Sequence, residues 1–180
     1  MHKKNAMKKI ILLAVFVWLG SALFAQTKAI EKFYEQYKGM EEVTDLKLRG
    51  WVLQLASKFS EEAEAAQLLR KITQLRILTM ENGNLVSPQA YRQLVKDLQG
   101  DRFEDLFKVQ EKGQNIQFLI REQGDTITDV LLLVSGDDHF VLLSLEGALR
   151  FSDLQNLQID VEGSEHFKKL PRHKKDIPRA

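Results

Sequence analysis

Four strand-length segments follow one another in the second half of the chain, and this succession constrains the fold more than any other feature of the sequence. Apolar residues recur along them with the short period of a β-strand, over 103–109, 115–122, 127–135 and 140–146. The links between them are short and rich in turn-forming residues: Lys112-Gly113, Gln123-Gly124-Asp125 and Gly136-Asp137-Asp138. Because links of this length can join only antiparallel neighbours, the segments predict a β-meander.

The last two of these segments are apolar on both faces. In 127–134, one side of the strand carries Val130, Leu132 and Val134, and the other carries Ile127, Leu131 and Leu133. Strands of this kind lie in the centre of a sheet that is covered from both sides. The pattern therefore predicts a buried central pair of strands, with Leu132 near the middle of the first.

The first half of the domain alternates between helical and strand patterns. Helical spacing occurs in 30–37, 51–59, 60–70 and 88–98, and strand composition in 43–48 and 72–80. Ser87 and Pro88 fit the N-cap and the first turn of the last helix. These elements predict the α/β (α+β) class, as a two-layer sandwich of a mostly antiparallel β-meander sheet with helices packed on it. We expect helices 51–69 and 88–98 to cover one face, and helix 28–37 part of the other.

The first 25 residues have the composition of a secretory signal peptide. Four lysines and no acidic residue precede an apolar run over 10–24. This run is short for a membrane span, which needs about 20 apolar residues, and an uncleaved anchor is the alternative. We expect cleavage between Ala25 and Gln26, a periplasmic or secreted protein, and no stable membrane span after the signal is removed.

Charge is unevenly distributed along the chain, which carries 26 basic and 25 acidic residues. Residues 26–165 hold 16 of the basic and 24 of the acidic residues, a net charge of −8, and we interpret them as a single domain. Residues 166–180 hold six basic residues and one acidic residue, and we interpret them as a basic, flexible tail. An acidic domain argues against nucleic-acid binding, which needs a basic face within the fold.

The sequence contains no recognisable catalytic or metal-binding motif. There is no cysteine, which excludes disulfides, thiolate nucleophiles and cysteine-ligated metal sites. The polar cluster Asp137-Asp138-His139 lies between two strands, where a solvated turn is favoured over a metal site. Asp129 lies in an otherwise apolar strand, and we expect it to pair with Arg76 or Arg121 or to lie at the edge of the sheet. We therefore predict no catalytic residue, no cofactor-binding residue and no metal ligand, and a protein that is not an enzyme.

Four aromatic residues at helical spacing in the first half of the domain are Tyr34, Tyr37, Trp51 and Phe59. Aromatic residues in such a pattern belong to the core more often than they line a ligand groove. We interpret all four as core residues, with a ligand groove as the alternative.

Three apolar stretches resemble the DUF4252 family, small exported proteins of Bacteroidetes that share a domain of unknown function. The stretches are ITQLRILT (72–79), ITDVLLLVSG (127–136) and LLSLEGAL (142–149), within a resemblance that covers about 28–165. The resemblance implies a fold family and brings no catalytic residues. Family members are often encoded near extracytoplasmic sigma-factor systems, which implies a role in envelope signalling or stress response. Some members are lipoproteins, whereas this chain lacks the cysteine that carries the lipid.

The apolar residues on both faces of 127–146 favour a protein that binds a partner protein or itself. Monomers rarely expose large apolar surfaces, so a face that the helices leave open must meet another chain or a ligand. We expect a non-catalytic envelope protein that binds a protein partner or forms a homo-oligomer. The alternative is a small-molecule or lipid-binding periplasmic domain, which a sizeable internal cavity would favour.

Overall fold

The computed structural model describes residues 28–111 and 113–155. The expected cleavage site at Ala25 and Gln26 and the basic tail at 166–180 lie outside the described residues. The described strands are β1 (Val43–Arg49), β2 (Ile72–Met80), β3 (Glu104–Glu111), β4 (Gln114–Gln123), β5 (Thr126–Ser135) and β6 (Phe140–Leu149). The described helices are α1 (Lys28–Tyr37), α2 (Gly50–Ala56), α3 (Ala63–Lys71), α4 (Pro88–Gly100) and α5 (Phe151–Gln155).

The six strands form one antiparallel sheet in the order β1-β2-β6-β5-β4-β3. The predicted meander from β3 to β6 is confirmed, and the tight turn between β4 and β5 uses a positive φ at Gly124. β6 then pairs with β2, for example through Leu142 opposite Leu78, and β1 completes the sheet beside β2. The α/β class with an antiparallel sheet and packed helices is therefore confirmed.

One face of the sheet, here called the α1 face, is covered by α1 and α4. Its apolar cluster joins Leu78 of β2, Leu119 of β4, Leu131 of β5 and Leu142 of β6 to the inner sides of both helices. α1 contributes Ile30, Phe33, Tyr34 and Tyr37, and α4 contributes Tyr91, Leu94 and Leu98.

The opposite face, here called the α2 face, carries a separate apolar cluster. It includes Phe118, Leu132 and Leu143 of the sheet together with Leu53 of α2 and Leu68 of α3. The central pair of strands is buried on both sides as the alternation predicts, and Leu132 is fully buried. The 127–146 segment therefore presents no open apolar face.

The expected distribution of the helices between the two faces is wrong. Helix α4 shares its face with α1, whereas α2 and α3 lie on the other. Topology explains this difference. α2 and α3 join β1 to its neighbour β2 and stay at that end of the sheet, whereas α4 connects β2 to β3 at the far edge and must cross the middle.

Two helix starts show how local sequence fixes the elements. The Ser87 hydroxyl accepts a hydrogen bond from the Ala90 amide at 3.1 Å, which confirms the predicted N-cap of α4. Gly50 begins α2 directly after β1, and a Cβ there would lie 3.0 Å from backbone atoms of Ile72 and Thr73. Only glycine lets the chain turn this closely against β2.

Candidate interaction surface

Helix α2 is anchored to the sheet by one side only. Its Leu53 is buried in the cluster of the α2 face, while Val52 is half-buried beside it. After α2 ends at Ala56, the backbone keeps turning, since Ser57 donates to the Leu53 carbonyl and Phe59 to the Ala56 carbonyl. The helical winding therefore extends the face opposite Leu53 by about one further turn.

Three large apolar side chains lie on this opposite face, and together they are called the α2 stripe. Trp51 is 66% exposed, Leu55 48% and Phe59 79%, at intervals of four residues. Residues four apart on a helix are neighbours on its surface. Contiguous apolar residues of this size on a protein surface indicate an interaction site, whereas scattered ones do not.

The interpretation of all four aromatic residues as core is therefore half right. Tyr34 and Tyr37 are buried beneath α1, as expected. Trp51 and Phe59 lie in solvent, and neither the core nor an enclosed ligand groove contains them. The physical reason is that α2 has only seven residues, of which Gly50 and Leu53 are the buried ones, so the rest of its surface stays outside the core.

The rim of the α2 stripe carries charges of both signs. Arg49 and Lys58 are exposed beside it, and so are Glu61 and Glu62 in the turn that leads to α3. An apolar centre with a polar rim of mixed charge is the usual anatomy of a protein–protein interface.

The α1 face holds a buried ion-pair network at the end where α1 begins. Arg76 of β2 is 1% exposed and pairs with Glu31 of α1, with Nη2 and Oε2 2.8 Å apart, and with Glu146 of β6. Lys47 of β1 also donates to Glu31, at 2.7 Å. Partial burial would raise the pKa of Glu31, but the Lys47 hydrogen bond and the charges of Arg76 and Lys47 together lower it. The network ties α1 to three strands and leaves Arg76 saturated with partners.

The other polar residues that the sequence singled out occupy structural positions. Asp129 pairs with Arg121, whose Nε lies 2.8 Å from Oδ2, so the expected partnership is confirmed. Asp137 and Asp138 lie in the turn between β5 and β6, where Asp138 is 2.8 Å from the His139 ring. Within residues 28–111 and 113–155, no three His, Cys, Asp or Glu side chains lie close enough together to hold a metal ion.

A second buried polar group lies beneath α4. The Tyr91 hydroxyl donates to Gln117 Oε1 at 3.1 Å and accepts from the Asn115 amide, while the Gln117 amide donates to Asp105. Burial and the nearby charge of Asp105 raise the pKa of Tyr91 to about 12. A tyrosine with this pKa stays protonated at neutral pH and acts as a fixed hydrogen-bonding group.

Two grooves beside α1 and α4 do not resemble small-molecule sites. One, of about 70 Å³, is lined by Ala29, Phe33 and Leu94 among others. The other, of about 450 Å³, is open to solvent and lined mainly by charged side chains, including Lys28, Lys32 and Lys96. Sites for small molecules are typically enclosed, mostly apolar, and about 300–1,000 Å³ in volume.

Sequence reasoning missed Leu55 as a surface residue, together with the exposure of Trp51 and Phe59. A signal was present in the sequence, because GWVLQLA (50–56) is apolar almost all round. A helix with one buried face cannot bury residues on every side. This helix has more apolar residues than one buried face can hold, so some of them must lie in solvent.

In the described part of the chain, no helix has the length and apolar character needed to span a membrane. A family model described as Domain of unknown function (DUF4252) matches residues 37–157. No curated protein matches the chain. No solved structure matches it either.

Proposed function

The chain belongs to the DUF4252 family, and from this premise we propose that its domain is a non-catalytic interaction module. It binds a protein partner through the α2 stripe of Trp51, Leu55 and Phe59. The observation that carries this proposal is the exposure of these three side chains on a helix that is already anchored by Leu53.

Energetics favour burial of the stripe against another molecule. Covering a large apolar side chain contributes about 1.5–3 kcal/mol, and this domain leaves three of them uncovered side by side. Aromatic residues at the centre of an interface also dominate binding energy in most complexes. The α2 stripe therefore has the composition of a hot spot and has no evident part in folding.

The charges around the stripe favour a protein over a membrane surface. An anionic bilayer selects a basic rim, whereas the two acidic residues Glu61 and Glu62 follow Phe59 within three positions and offset the single Lys58 before it. A protein partner can match charges of both signs.

A non-catalytic role is supported by how the polar side chains are used. Arg76, Asp129 and Tyr91 are engaged in ion pairs or hydrogen bonds inside the fold. The α2 stripe itself carries no titratable group, so its three side chains offer contact area and no acid–base chemistry.

Export to the envelope is part of the proposal, with removal of the first 25 residues and a role in envelope signalling or stress response. The lysine-rich start and the apolar run over 10–24 support it. Intact mass of the chain purified from its native host should correspond to a start at Gln26. A mass that retains residues 10–24 would show an uncleaved anchor instead.

Crosslinking in the native host tests the binding role. The wild-type chain should capture a defined protein from the envelope, and the Trp51→Ala/Phe59→Ala variant should lose it while its melting temperature stays unchanged. Leu85→Ala is the control for loss of an exposed apolar side chain, because Leu85 is 48% exposed, as Leu55 of the stripe is, and lies outside the α2 stripe. Equal capture by the double variant would contradict the role of the α2 stripe. A wild-type chain that captures no protein would contradict the binding role itself and make small-molecule or lipid binding the leading function.

A further inference from the structure

Strand β1 is an edge strand whose outer side pairs with no other strand in the described ranges. It is seven residues long, and Thr44, Asp45, Leu46, Lys47 and Arg49 are exposed. An edge of this kind presents a row of backbone N–H and C=O groups that can pair with another strand.

The two edges of the sheet differ in regularity. β1 pairs with β2 over all seven residues, from Val43 opposite Met80 to Arg49 opposite Gln74, without a shift in register. β3, at the other edge, has a register shift between Asp105 and Phe107. Bulges protect sheet edges from pairing, so the regular edge at β1 is the one that can accept another strand.

The sequence of β1, VTDLKLR, is complementary to itself when it is reversed about Leu46. In an antiparallel pair of two such strands, Leu46 would face Leu46, and Thr44 would face Leu48. Asp45 of each copy would lie opposite Lys47 of the other, twice in the same pair. Opposite charges in directly facing positions stabilise strand pairing, and like charges destabilise it.

The neighbouring symmetric registers lack this complementarity. A centre at Asp45 places two aspartates opposite each other, and a centre at Lys47 places two lysines opposite each other. Only the centre at Leu46 joins unlike charges and brings the exposed apolar side chain, 41% accessible, against its own copy.

We propose that two copies of this chain associate through β1, in the antiparallel register centred on Leu46. A two-fold axis perpendicular to the sheet relates the copies, and their sheets join into one of twelve strands. Because this axis keeps equivalent faces together, both α2 helices lie on the same side. The dimer thus presents two α2 stripes to one partner or assembly.

Existing contacts of the two charged side chains are compatible with this pairing. Asp45 accepts from the Tyr34 hydroxyl and from the Gly39 amide, each at 3.0 Å, and Lys47 donates to Glu31. A carboxylate has about four acceptor positions and an ammonium group three donors, so both groups retain capacity for a further partner. In the dimer, each Lys47 would lie between Glu31 of its own copy and Asp45 of the other.

Sedimentation of the purified mature chain, residues 26–180, tests the association. The wild type should sediment as a dimer at tens of micromolar, since interfaces built around one strand pair are small. Asp45→Lys alone and Lys47→Glu alone should each sediment as monomers, because each places like charges opposite each other. An equimolar mixture of the two variants should restore the dimer. A monomeric wild type, or variants that associate as well as the wild type, would overturn the proposal.

Cysteine crosslinking tests the register without disturbing the charges. The chain has no cysteine, so Leu46→Cys introduces a single thiol. Directly opposed side chains have Cβ atoms about 4.5–5.5 Å apart, within reach of a short crosslinker with two thiol-reactive maleimide groups. Leu46→Cys chains should become covalent dimers, and the Leu85→Cys control should remain monomeric. Equal crosslinking of both would rule out the register.

The association and the function of the α2 stripe can fail separately. Trp51→Ala/Phe59→Ala should leave sedimentation of the dimer unchanged, because the stripe lies opposite the side of α2 that packs on the sheet. Lys47→Glu should leave a monomer that still captures the envelope partner with one stripe. Pairing of β1 with an extended segment of a different protein would appear as a monomer alone and as a complex only with that protein, which also overturns the dimer.

Discussion

Helices α1 and α2 both carry aromatic residues at helical spacing, yet their environments are opposite. Phe33, Tyr34 and Tyr37 of α1 are buried between the sheet and α4. Trp51 and Phe59, on and just after α2, are exposed. Both helices lie on the sheet with a second helix beside them, and the difference arises from which residues they turn inward. α1 turns its aromatic residues toward the sheet and α4, whereas α2 turns Leu53 toward the sheet and α3 and leaves its aromatic residue outside. Spacing thus tells which residues share a face and does not tell whether that face is covered.

The largest effect that distinguishes the two helices is on stability. Phe33→Ala should reduce the free energy of unfolding by about 3–5 kcal/mol, because it removes a buried ring and leaves a cavity. Phe59→Ala, the same substitution in the exposed set, should change it by less than about 0.5 kcal/mol. Denaturant unfolding of both variants measures the difference. Similar losses in the two variants would show that Phe59 packs in the core.

The second largest loss of stability should come from a substitution in the sheet beneath both helices. Leu132→Ala should cost about 2–5 kcal/mol, since Leu132 is fully buried in the centre of β5. The control is Leu46→Ala, which shortens an exposed leucine at the sheet edge and should have a small effect in the monomer. A Leu132→Ala chain that unfolds like the wild type would mean that β5 is not a central strand.

Removal of one hydroxyl group under α1 should cause a smaller loss in the free energy of unfolding. Tyr34→Phe removes the hydrogen bond to the Asp45 carboxylate, which is 3.0 Å long, and should cost about 1.5 kcal/mol. Tyr37→Phe, with the same chemical change one helical turn away, serves as the control. Equal unfolding midpoints for both variants would show that the hydrogen bond between Tyr34 and Asp45 does not stabilise the packing of α1.

The ion pair at the start of α1 should give the smallest effect and a dependence on pH. The pKa of Glu31 is lowered in the folded state from its ordinary value of 4.5, so its contribution is present above that pH and is lost as the pH falls through the folded value. Glu31→Gln should therefore cost roughly 0.5–1 kcal/mol at neutral pH and progressively less in acid. Glu35→Gln, which removes an exposed pair with Lys38, should show neither effect. If Glu31→Gln lost the same stability at every pH, the loss would come from altered packing and not from the ion pair.

Much of the fold follows from local sequence, and the reasons are visible in particular elements. Short turns at Gly124 and at Gly136 force the meander, and Ser87-Pro88 marks the start of α4. The face that each helix covers could not be read in this way, because it depends on the order of the strands. That order sends α4 across the sheet and holds α2 at its end.

The candidate interaction surface was less accessible to sequence reasoning than the fold. The residues of the α2 stripe have the composition of a core, and only the position of Leu53 shows which side of α2 meets the sheet. The pairing of Asp129 was predictable, since a buried carboxylate needs a cation and Arg121 lies on the neighbouring strand. The network around Arg76 was not, because Glu31, Glu146 and Lys47 come from elements far apart in the sequence.

The central claim is that the α2 stripe lies in solvent in the free domain and is covered by a partner. Trp51 reports on this directly, because Trp18, the other tryptophan of the chain, lies in the segment that export would remove, and Trp51 is the sole emitter of a chain that starts at Gln26. Acrylamide should quench Trp51 almost as freely as tryptophan in water, and addition of the captured partner should shift the emission to the blue and protect it. Blue-shifted, protected emission from the domain alone would contradict the account, since it would place Trp51 in the core.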